Sequence, residues 1–153
     1  MWSDQVISMM IQGIWETIYM TVISTFAGYV IGLPMGIALT VTDKDGIRPN
    51  AAVYKVLDVI SNLVRSIPFI ILLVILIPFT RLVAGQSYGS KATIVPLVIA
   101  AAPYIARMVE SSLKEVDPGV IEAARSMGAS DVTIIVKAVS YTHLRAHETR
   151  HDL

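Results

Sequence analysis

"TIYMTVISTFAGYVIGLPMGIALTV", Thr17 to Val41, decides the fold. Its 25 residues carry no charge. At about 1.5 Å per residue, a helix of this length outruns the ~30 Å hydrocarbon core of a bilayer. The stretch predicts a transmembrane helix. The whole chain agrees with that reading: 54% of its 153 residues are hydrophobic and only 16% are charged. Its formal net charge of zero leaves no basic footprint for nucleic acid. Without cysteine it has no disulfides or thiolate metal sites.

Before Val41 the only charges are Asp4 and Glu16, and the first basic residue is Lys44. A secretory leader needs a positive start, so this first apolar segment is expected to stay in the protein. Beyond it, "SIPFIILLVILIPFT" (Ser66–Thr80) is short alone, and "VLDVISNLV" before it is expected to lengthen it into one helix over 57–80. "ATIVPLVIAAAPYIA" starts a third span over 92–110, with Arg107 marking its cytoplasmic end or standing as a functional charge within the membrane. The fold class expected is all-α, with three membrane spans.

Basic residues in short loops orient such a chain. Lys44, Arg48 and Lys55 follow the first span, and Lys114, Arg125 and Lys137 follow the third. Both stretches are expected in the cytoplasm, with the N-terminus outside.

Gly28, Gly32 and Gly36 recur every fourth residue and give the first span one smooth face. Close helix packing is one reading. A movable kink at Pro34, between two of these glycines, is the other. In the second segment Ile-Pro-Phe occurs twice, placing Pro68 and Pro78 where each removes a helix hydrogen bond. They line a transport path or are tolerated kinks.

"DPGVIEAARSMGASDVTIIVK", Asp117 to Lys137, is mixed in polarity. Asp117 fits an N-cap and Pro118 the first helical position. Val120, Ile121, Ala124 and Met127 form an apolar stripe, and Gly128 fits the C-terminal stop. Ser130 or Asp131 caps a second short helix, "VTIIVK". Two small helices joined by a glycine elbow are expected. Their apolar stripe is covered either by the chain's own membrane part and lipid or by another protein.

"EAARSMGAS" resembles the EAA loop of ABC importer permeases. "GIWETIYMTVISTFAGYVIGLPMGIAL", "RSIPFIILLVILIPFTRLVAG" and "IVPLVIAAAPYIARMVE" are similar to the permease subunit of methionine ABC importers. The resemblance runs over residues 12–138. It implies a type I importer permease in a bacterial cytoplasmic membrane, used as a homodimer with a cytoplasmic ATPase subunit, a substrate-binding lipoprotein and surrounding lipid. It also implies that Glu122, Ala123, Ala124 and Gly128 meet the ATPase. No Walker-A pattern occurs, so the chain is not expected to be an enzyme or to hold a cofactor. A permease for another polar amino acid, and a membrane scaffold whose cytoplasmic helices recruit a partner, are the alternatives.

The resemblance stops near Lys137. Ser140 and Tyr141 stand where the family pattern has Leu-Pro. "VSYTHLRAHET" resembles a translated frame of a transposase-type sequencing adapter, so residues 139–153 are expected to be non-native. His143, His147 and His151 recur at helical spacing in this tail, and a metal site there is set aside on the same ground.

Overall fold

A computed structural model describes the backbone of residues 3–148 and the side chains of residues 3–140. The described residues form helices α1 (Asp4–Thr42), α2 (Ala51–Ser66), α3 (Phe69–Ile75), α4 (Ile77–Ala84), α5 (Ser90–Lys114), α6 (Pro118–Ser126) and α7 (Asp131–Glu148).

α1 starts well before the apolar run. Its first turns carry Gln5, Ser8, Gln12 and Glu16 at helical spacing, a polar strip on an otherwise apolar rod. Gln12 Nε2 donates to Glu16 Oε1 at 2.9 Å, and Ser90 Oγ at the head of α5 donates to Glu16 Oε2. Those partners let the helix run past Glu16. With 39 residues, α1 is about 58 Å long, more than a bilayer core requires.

The second span corrects the expectation. Residues 57–80 are not one helix. α2 stops at Ser66, Ile67 is extended, and α3 leaves at 107° to α2. Proline disfavours the helical region for the residue before it and brings no N–H. Pro68 therefore sits as the N-cap of α3, and Pro78 lies in the first turn of α4, where a missing N–H costs least. α4 ends at Gly85, whose φ of 73° is left-handed.

α5 is the central helix: α1, α2, α3 and α4 all pack on it. α1 and α5 are each long and apolar enough to cross a membrane, and α2 with α3 makes a broken third candidate. The buried core is narrow and built on α5, including Ala92, Ala102, Ile105, Ala106 and Leu113. Trp15, Val22, Phe26 and Val30 of α1 face outward. An apolar face this long is at home against lipid or another apolar helix.

Candidate functional site

Both small helices expected after α5 form, and hydrogen bonds close the elbow between them. Asp117 Oδ1 accepts the Gly119 N–H at 2.7 Å, capping α6 behind Pro118. At its other end the Ala129 N–H reaches Ala124 O and the Gly128 N–H reaches Arg125 O. That pair of bonds is a Schellman stop, and it requires the left-handed φ of 83° found at Gly128. Ser130 Oγ then accepts the Thr133 N–H and caps α7. α7 is 18 residues long, longer than the short second helix expected.

The apolar stripe expected on α6 divides. Ile121 and Ala124 are half-buried against the chain itself, while Val120 is 63% and Met127 81% exposed. Glu122, Ala123 and Gly128 are exposed too. The motif thus offers a surface of one carboxylate, one small side chain and two apolar ones.

Two ties bind the elbow to the loop between α1 and α2. Arg125 Nη2 donates to Ile47 O at 3.0 Å, and Arg48 Nε donates to Asp131 Oδ2 at 2.9 Å. A cavity of about 520 Å³ lies between this loop, the end of α1 and the elbow, walled by Ile37, Val41, Leu113, Ile121 and Ile134 with Arg125 at its edge.

Gly32 and Gly36 lie buried where α1 meets α5. A Cβ on Gly32 would stand 2.7 Å from Ala102 O, and one on Gly36 2.6 Å from Ala106 O. The glycine face packs closely on α5. Pro34 points outward on an α1 that stays helical through it, whereas Pro68 breaks its helix. The structure does not bring these prolines together with Glu122 or Gly128.

A polar seam near the elbow was not foreseen. Tyr54, Asp58 and Asn62 recur every fourth residue on α2 and face Arg107, Glu110 and Lys114 on α5. Glu110 is buried at 3% exposure. Its Oε1 accepts from Tyr54 Oη at 3.2 Å and Lys114 Nζ at 2.8 Å, and its Oε2 accepts from Arg107 Nη1 at 2.7 Å. Arg107 also binds Asp58 and Asn62 through Nη2. Lys114 Nζ reaches Asp43 Oδ2, just past α1, at 2.8 Å, and this hydrogen bond holds the Asp43 carboxyl below the usual range. Arg107 therefore joins two helices. The spacings Arg107–Glu110 and Glu110–Lys114 were legible as helical pairs, but their partners on α2 and beside α1 were not.

Among the described residues no group of His, Cys, Asp and Glu is placed to hold a metal ion. The side chains of His143, His147 and His151 lie outside the described residues.

This arrangement of a continuous helix pair, a broken span and a capped elbow has close counterparts. Residues 28–139 match the family described as binding-protein-dependent transport system inner membrane component. The chain belongs to this family. It is 51% identical over 135 residues to a D-methionine transport system permease protein MetI of Salmonella typhimurium, covering 88% of this chain and 62% of that one. The Escherichia coli protein of the same description is 50% identical over 137 residues, covering 90% and 63%. The chain thus spans less than two thirds of the length of these relatives. A solved inward-facing conformation of the MetNI methionine ABC transporter superposes with a TM-score of 0.84 at 46% identity, over 92% of this chain and 71% of that one. An amino acid ABC transporter shares the fold at 22% identity and a TM-score of 0.69. The all-α permease fold of the family is therefore the fold of this chain.

Proposed function

We propose that this chain is the transmembrane part of a methionine importer permease, which couples closure of a cytoplasmic ATPase to alternating access across the bacterial cytoplasmic membrane. The observation that carries the reading is the elbow: a short helix closed by Gly128 in a left-handed conformation, with Glu122, Ala123, Val120 and Met127 exposed beside it. It is supported by the roughly half-identical D-methionine permeases. In this reading Glu122 is a polar contact to the ATPase, the alanines allow close approach, and Gly128 makes the turn. The permease works as a homodimer in lipid, supplied by a substrate-binding lipoprotein. Radiolabelled methionine uptake by the complete permease, co-expressed with its ATPase and lipoprotein, tests the reading. Methionine-independent uptake of another amino acid would replace the substrate. Absence of both transport and ATPase retention would reject the importer.

Orientation forms part of the proposal. The Arg48–Asp131 pair is consistent with the α1–α2 loop and the elbow lying on one side. Residues 1–153 contain no cysteine, so a single replacement is the one thiol within them. Cysteine at Asp45 or Ser130 should resist an impermeant thiol reagent in whole cells and react after permeabilisation. Cysteine at Gln86 should react at once. Labelling of Asp45 from outside would invert the topology.

Residues 139–153 are proposed as a non-native tail, a reading supported by the adapter-like frame and by a family match that stops at residue 139. Long reads of the source DNA should leave this frame after Lys137; the same frame in the genome would reject it.

A further inference from the structure

We propose that Glu110 is a positioning residue for coupling: it locks α2, α5 and the end of α1 into one lever, so that movement of the elbow reaches the break at Ile67–Pro68. The proposal rests on the importer reading. Three observations carry it. First, the two oxygens of Glu110 together engage Tyr54, Arg107 and Lys114, and it is almost wholly buried. Second, each cation it holds is shared with a different segment: Arg107 with Asp58 and Asn62 of α2, Lys114 with Asp43 just beyond α1. Third, Lys114 is the last residue of α5, and α6 begins at Pro118. The seam therefore stands directly between the coupling elbow and the membrane helices.

A buried carboxylate held by two cations is rigid in a way that apolar contact in lipid is not. An apolar side chain loses little by sliding against a neighbour, because lipid is as apolar as the protein. An ion-paired, hydrogen-bonded carboxylate loses its partners when it slides, and the stranded charges stay costly in a low dielectric. At the other end of α2 the chain has no such hold. Ile67 is extended, and α3 departs at a steep angle, so the lever's free end meets a ready joint.

Glu110→Gln keeps the shape and one acceptor while removing the charge. In the complete permease with its ATPase, we expect normal membrane abundance and normal ATPase retention. ATP hydrolysis should continue, while methionine uptake per ATP falls roughly tenfold, the usual scale of an allosteric coupling lost. Lys114→Gln should do the same. The double variant should be no worse than the worse single, because the two act as one unit. Uptake per ATP within about twofold of wild type in Glu110→Gln, well below such coupling, would overturn the proposal. So would a fall in hydrolysis proportional to the fall in uptake. If the wild-type permease neither retains an ATPase nor transports, the importer reading fails, and heat denaturation of the purified permease decides the lock alone. Each single variant should then melt earlier, with the double no lower than the worse single; simple additivity would overturn it.

Discussion

Gly36→Leu should deplete the permease in the membrane fraction. The position leaves no room for even a first carbon. A Cβ there would stand 2.6 Å from Ala106 O and 2.7 Å from Val109 Cβ, both closer than real contacts. The nearest obstacle is backbone, which has no rotamer to change. Overpacking a core usually costs about 1–3 kcal/mol, and more where the backbone must move. Water offers little compensation, because helix association within lipid depends on close packing. Gly13→Leu is the matched control: it lies on the same helix with nothing within 4 Å of its Cβ. Immunoblots of membranes and melting of the purified protein should show Gly36→Leu depleted and early-melting, with Gly13→Leu near wild type. Equal abundance of the two would mean that α1 and α5 do not meet as described.

Loss of transport with normal abundance is expected for Gly128→Val. Here the obstacle is conformation, since nothing lies within 4 Å of a Cβ at Gly128 and its φ is 83°. A non-glycine residue pays roughly 1–2 kcal/mol in the left-handed region, and a β-branched one resists it most. The Schellman bonds to Ala124 and Arg125 would then be lost and α7 redirected. Gly128→Asn should retain activity, because asparagine visits that region. Glu122→Lys should also uncouple. Reversing a charge at an interface can cost ~2–5 kcal/mol where a buried partner is stranded, and much less at a rim. Co-purification of the ATPase and uptake of radiolabelled methionine are the measurements. Normal uptake in both Gly128→Val and Glu122→Lys would make the elbow ordinary surface structure.

The elbow was legible because its signals are local. Asp117, Pro118, Gly128 and Ser130 each act within a few residues, and each does what its chemistry requires. The span 17–41 was legible for the same reason. The break at Ile67 was not, because hydropathy sums over a proline without noticing the change of direction there. The early start of α1 was hidden by Glu16, a charge that finds Gln12 and Ser90 instead of ending the helix. The polar seam was half legible. Its α5 members sit at helical spacing, but Tyr54 and Asp58 reach them across 56 and 49 residues. The loop's hold on the elbow spans 83 residues, from Arg48 to Asp131, and no pattern in the chain announces it.

The three glycines of α1 differ in how freely mutation can explore them. At Gly28 a methyl would meet Ala101 Cβ and Ile105 Cδ1 at 3.2 Å. The isoleucine tip can swing aside, so alanine is one small adjustment away. At Gly32 the obstacles include Ile105 Cβ and the Ala102 carbonyl. Only glycine at 105 would relieve the first, since every other residue keeps that Cβ, and nothing relieves the second. At Gly36 the first obstacle is again a carbonyl, which every amino acid carries. No substitution on α5 can remove it, so no compensating partner exists for a change at 36. Drift along this helix is therefore graded: conditional at its middle, and closed about two turns before the loop that holds the elbow.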